Sequence, residues 1–411
     1  MVFIPSHQMT GNDREGSLEV SMGNCKRANI IWCGLVIVYL AASCLIAAVY
    51  DFRRINFLIL AAFWFFSCWC MYQSEQIFSA NHFDTQTGRP DQRRKMIVTG
   101  LVGLVLICLL MFWKESDNFL MISLYMIQFS YACWISCKVG LPIRIFCGIR
   151  KPGSLSALLL LIPAAFLMYF ISSYVNILSM IFFEPQIGEE VIQSAGSLFP
   201  ALISLALLPA FVEELLFRGL IFASISGKWK AILVSSACFA LLHMNFNQMI
   251  YAFVMGIFLG WTVWKTGNVI CSMILHMTFN GITVLNVFFA ERFAGREAFA
   301  QSMADPVNMR GILTNQAGRL NWQPLVFGLV PVLICIVFFV VIICLYYRLS
   351  LSSRQCHPDK SSISPQHSQE DKGTGFAEAE DSEAATSWKP DVCFALGCLI
   401  CLVYAFLIER G

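Results

Sequence analysis

Residues 207–218 read Leu207-Leu208-Pro209-Ala210-Phe211-Val212-Glu213-Glu214-Leu215-Leu216-Phe217-Arg218. Two carboxylates and a guanidinium interrupt an apolar run that otherwise extends from about 198 to 226. Such a run is long enough to cross a hydrocarbon core of about 30 Å, which takes roughly 20 residues. Ionisable side chains in a span are costly, and are retained where they pair or act. The same ruler, moved outward along the chain, finds further runs near 29–50, 55–73, 96–113, 119–137, 153–183, 231–246, 249–265, 268–290, 325–347 and 393–408. The expected fold class is all-α, a polytopic transmembrane helical bundle of about 10–11 spans. The runs at 153–183 and 198–226 are long enough to tilt or to project beyond the bilayer, whereas 393–408 is short for a crossing.

Composition agrees. Of 411 residues, 57% are hydrophobic and 13% charged, against about 25% charged in soluble domains. A net charge of +2 provides no basic field for nucleic acid. Most of the 17 cysteines lie in apolar runs, among them Cys33, Cys44, Cys68, Cys70, Cys108, Cys238 and Cys335, and are expected to act as small hydrophobes. Cys398 and Cys401 form a C-x-x-C with no second pair, a poor basis for a metal or redox site. The first 28 residues are polar, so no cleavable signal peptide is expected. With loops placed alternately on two sides, Lys and Arg concentrate on the side of the N-terminus, which places it in the cytoplasm.

The expected organisation is a polar cytoplasmic N-terminus at 1–28, N-terminal transmembrane helices at 29–150, a core at 151–347, a flexible cytoplasmic linker at 348–392 and a C-terminal hydrophobic segment at 393–411. The loop 291–324 is long enough to form a partly ordered lid. Gly256 and Gly260 make a G-x-x-x-G expected to serve close helix packing. Pro209 is expected to kink its helix just before Glu213. Asn245 and Asn247 are expected to end a helix at the interface.

Three of these runs carry polar groups well away from their ends. Besides Glu213, Glu214 and Arg218, they are His243, four residues after Phe239, and His276, four residues before Asn280. Residues four apart share a helix face, so Glu214 can pair with Arg218 while Glu213, about 100° away, faces elsewhere. At about 1.5 Å rise per residue, Glu213 lies roughly 20 Å from the cytoplasmic end of its span, His243 about 18 Å, His276 about 12 Å and Asn280 about 18 Å. The set suits attack of water on an amide. A carboxylate or imidazole can take the water proton and return it to the leaving amine. A second imidazole and an Asn amide can donate to the tetrahedral oxyanion. Glu213, His243 and His276 also have the composition of a catalytic zinc site, so zinc and metal-free chemistry both stay open. No H-E-x-x-H is present. Each group also has a plain structural reading: a buried ion pair for Glu214 with Arg218, and interhelical hydrogen bonding for His243, His276 and Asn280.

At these residues the chain resembles the CPBP family of intramembrane proteases, which includes the CAAX prenyl endoprotease and bacterial bacteriocin-processing or immunity proteins. The family pattern E-E-x-x-x-R, F-x-x-x-H, H-x-x-x-N is met in order by Glu213 to Arg218, Phe239 to His243 and His276 to Asn280, and Lys265-Thr266-Gly267-Asn268 also looks typical. The resemblance covers about 198–290. It implies a core of about eight helices around a polar cavity, with 151–347 as the protease core. It further implies that Glu213 and His243 activate water, that His276 and Asn280 stabilise the oxyanion, and that Glu214 and Arg218 shape the site. The expected substrate is a membrane peptide or lipidated protein, and the expected location a bacterial plasma membrane. Two other functions compete. A non-catalytic scaffold or immunity factor would bind peptide in the same cavity, and a transporter would use the groups as an ion relay. The transporter reading lacks the paired repeats such proteins show.

Overall fold

The computed structural model describes residues 34, 36–38, 53–81, 118–139, 142–150, 158–183, 198–225, 227–295, 322–356 and 392–410. The N-terminus at 1–28, the run at 96–113 and most of the run at 29–50 lie outside the described residues, as do most of the loop 291–324 and the linker beyond 356. Every described element is a helix. In chain order they are α1 (Arg53–Asn81), α2 (Asn118–Val139), α3 (Ile143–Phe146), α4 (Leu161–Ser179), α5 (Leu198–Ile221), α6 (Lys228–Leu242), α7 (Phe246–Thr266), α8 (Val269–Ala294), α9 (Trp322–Cys356) and α10 (Val392–Arg410). The protein is an all-α polytopic helical bundle. Among the described residues five helices, within α4, α5, α7, α8 and α9, are long and apolar enough to cross a membrane. The chain forms two compact units. One contains residues 1–149 and 189–226, the other 150–188 and 227–385, and the final helix is shared.

In the first unit α1 packs along α2, and small side chains allow the approach. Ser67 donates to Ser130 Oγ at 2.8 Å, and Ser130 is 3.1 Å from the Phe63 carbonyl. Trp64 stacks on Phe129, which in turn meets Phe211 of α5 at 5.8 Å between ring centres. Arg144 of α3 grips both oxygens of Glu75, at 2.9 and 3.2 Å. That charge-assisted bond is the first cause of an Arg144 pKa above the ordinary arginine value.

In the second unit α4 is central and touches α7, α8 and α9. Tyr174 of α4 donates to the Leu325 carbonyl, and a Cβ on Gly328 would lie 2.7 Å from its ring, so α9 can approach only with glycine there. Helices α6 and α7 form an antiparallel hairpin. Gly260 brings its backbone into van der Waals contact with Ile232, 3.5 Å from where a Cβ would stand, as the G-x-x-x-G led one to expect. The outer face of α9 exposes Phe327, Val330, Leu333, Val337 and Phe338, the composition of a lipid-facing surface.

Two expectations need correction. The run at 231–246 does not form one span: α6 stops at Leu242 and the chain turns through Met244, which has a φ of 52°. Asn245 does not end a helix but begins one, its side chain accepting from the Gln248 amide at 3.0 Å. Asn247 is buried within α7 and donates to Ser179 of α4. Pro209 lies within the helix Leu198–Ile221. There the missing amide falls just after a change of winding, because Leu202–Leu207 is π-helical and Leu208–Glu214 is α-helical.

Candidate active site

Glu213, Glu214 and Arg218 all belong to the first unit. Glu214 closes the α-helical segment, and Leu215–Ile221 is again π-helical. Hydrogen bonds that close five residues apart widen the turn. Residues four apart still share a face in this winding, so the Glu214–Arg218 contact is kept. The pair is formed: Arg218 Nη1 lies 3.0 Å from Glu214 Oε1, and both side chains are fully buried. Removing either partner would strand a charge in the interior, which costs about 3–5 kcal/mol. Glu213 is only half-buried and lies close enough to Arg218 to act on it electrostatically.

The turn after α3 braces this segment. The Cys147 thiol donates to the Leu215 carbonyl at 3.7 Å. Gly219 lies against the same residue: a Cβ there would stand 2.6 Å from both Cβ and Sγ of Cys147. Neither Cys147 nor Gly219 was singled out by the sequence. The cysteine is distant along the chain and the glycine looks like any other small helical residue, so only the shared turn reveals them.

His243, His276 and Asn280 belong to the second unit. His243 is the residue that ends α6, and its Nδ1 lies 2.8 Å from the Phe239 carbonyl, one turn back. That contact directs Nε2 away from the helix. Phe239 is fully buried and meets two imidazole rings edge-on, His243 at 4.9 Å and His276 at 5.7 Å between ring centres. It therefore gathers both histidines around one aromatic wall. His276 is 2% exposed, while Asn280, one turn further along α8, is half-buried. Phe279, between them, packs on Tyr169 of α4 at 5.5 Å and fixes the rotation of α8. The segment 265–268 is structural. Gly267 takes a φ of 62° to end α7, and Asn268 caps α8 through the Ile270 amide. Asn268 also exchanges hydrogen bonds with the Arg150 backbone in both directions, at 3.2 and 3.1 Å.

The expected metal set was Glu213, His243 and His276. Among the described residues no three His, Cys, Asp or Glu side chains are grouped to hold a metal ion.

Residues 195–282 match the family described as Type II CAAX prenyl endopeptidase Rce1-like. The resemblance carried by the three motifs is thus borne out across that stretch. The chain is also similar to the UPF0177 protein YxdF of Lactococcus lactis subsp. lactis (strain IL1403), with 39% identity over 83 residues. That match covers 19% of this chain and 47% of the relative, so it spans about half of the relative's length. No solved structure matches the chain.

Proposed function

We propose that the chain is an intramembrane endopeptidase for membrane-embedded or lipidated peptides, in which Glu213 activates the attacking water. The observation that carries this reading is the buried Glu214–Arg218 pair within a stretch matching the prenyl endopeptidase family. It commits the Glu214 carboxylate to structure, while the adjacent Glu213 is half-buried and is the one proposed to act on water.

In the proposed reaction Glu213 takes a proton as the water oxygen bonds to the scissile carbonyl carbon. Negative charge then gathers on the carbonyl oxygen, where the Asn280 amide and the His276 imidazole donate hydrogen bonds. His243 orients the water through the nitrogen not directed at Phe239. Collapse of the tetrahedral species breaks the C–N bond. The proton returns from Glu213 to the departing amine, leaving a carboxylic acid and an amine.

Cleavage of a membrane-peptide library by the purified chain, compared with Glu213→Gln, tests the reading. Cleavage by the wild type and its loss in a folded Glu213→Gln variant are expected. An intact library with retained peptide binding would make the protein a scaffold.

A further inference from the structure

One end of the second unit gathers cations from four places in the chain. Lys228 and Lys230 open α6, Lys265 lies in the last turn of α7, and Arg348 follows Tyr347 in α9. Arg150 is held at the same end by its backbone bonds to Asn268. The grouping is confirmed by side-chain contacts. The Lys228 ammonium sits 3.4 Å from the centre of the Trp264 ring and 4.7 Å from that of Trp229. The Lys265 ammonium sits 5.1 Å from the centre of the Tyr347 ring. Burial against these rings is the first cause that lowers the Lys228 pKa, and the positive charge of Lys265 is the second.

This unit's described residues hold few carboxylates to set against that charge. Between Arg150 and Cys356 they contain one carboxylate, Glu291. It lies near the other end of α8, about 33 Å along the helix from Val269. The dipole of α6, whose first turn holds no acid, adds to the positive field. Aromatic faces steady the ammonium groups by cation–π attraction but supply no counter-charge. Exposed Trp229 beside half-buried Trp264 and Tyr347 is the composition of the membrane–water boundary, where an anion reaches a protein from the lipid side.

We propose that Lys228 and Lys265, walled by Trp229, Trp264 and Tyr347, bind the phosphate of an anionic phospholipid. The headgroup bridges the two ammonium groups and relieves their repulsion, while the acyl chains run down the apolar surface. Lys230, which is exposed and makes no aromatic contact in this cluster, contributes only to the diffuse field.

The test measures retention of phosphatidylglycerol and of phosphatidylcholine by the purified full-length chain, using native mass spectrometry. Preferential retention of phosphatidylglycerol is expected. Its apparent affinity should fall roughly tenfold in Lys228→Gln/Lys265→Gln and in smaller part in Lys265→Gln alone, with little change in Lys230→Gln. Melting in phosphatidylcholine nanodiscs identifies any variant that does not fold, and Lys265→Gln alone then carries the comparison. Equal retention of the two lipids, or an equal loss in Lys230→Gln, would overturn the assignment. Inorganic phosphate provides the second arm. If it displaces no bound lipid but stabilises the protein in phosphatidylcholine nanodiscs through the same two lysines, the occupant is a soluble phosphate and the lipid assignment fails.

Discussion

A methyl group added at Gly219 would have to enter space already held by Cys147, 2.6 Å from its Cβ and Sγ. Two effects oppose each other there. Alanine in place of helical glycine gains roughly 0.5–1 kcal/mol from backbone entropy, whereas overpacking typically costs 1–3 kcal/mol. Overpacking wins, and it acts on the segment that holds Arg218. Gly219→Ala is therefore expected to lower both melting temperature and turnover. Cys147→Gly, which removes the opposing Cβ, should restore much of both in the double variant, and Cys147→Ala should not. Rescue by either variant alike, or by neither, would break the link between this contact and the site. At this scale the sequence was legible where partners lie one turn apart. Glu214 with Arg218 follows from a spacing of four, as do the shared faces of Phe239 with His243 and of His276 with Asn280. Contacts such as Cys147 with Leu215 have no such signature, since only tertiary folding places them together.

Helix α6 shows where a pattern of apolar residues misleads. Its run continues through Met244 and Phe246, so hydropathy alone carries the span past His243. The backbone instead turns at Met244, and the Asn245 side chain accepts from the Gln248 amide in the first turn of α7. His243 consequently ends a helix rather than lying inside one, and its ring is held by the Phe239 carbonyl. The π-helical stretches of α5 were equally hidden, because a wider turn leaves no mark in composition. Spans α7, α8 and α9 were legible at their apolar centres, although α9 runs on to Cys356, beyond the run that announced it. The junction of α7 and α8 provides a direct check on this scale. Asn268 caps α8 and ties Arg150 to it. Loss of an N-cap alone costs about 1 kcal/mol. Asn268→Ala, which also severs both bonds to Arg150, is expected to cost more than that, read as a lower melting temperature in detergent. A variant as stable as the wild type would show that the junction is held by other contacts.

For the whole molecule, composition and span length disclosed a polytopic helical bundle before any contact was known, because hydrocarbon admits few alternatives to helices. The interleaving of the chain into two compact units was not disclosed. It depends on which helices pack, and spans of uniform apolarity carry no label of their neighbours. A mechanism carried by side chains alone expects turnover to survive exhaustive chelation. Activity lost on chelation and restored by zinc would instead assign His243 and His276 as ligands. The division of labour between the two glutamates is the most direct test of the account as a whole, and it needs turnover and melting temperature measured together for Glu213→Gln and Glu214→Gln. The account predicts that Glu213→Gln stays folded but loses turnover by two or more orders of magnitude, about the contribution of a general base. It predicts that Glu214→Gln is destabilised by about 3–5 kcal/mol through the stranded Arg218 charge. A stable but inert Glu214→Gln beside an unfolded Glu213→Gln would contradict it.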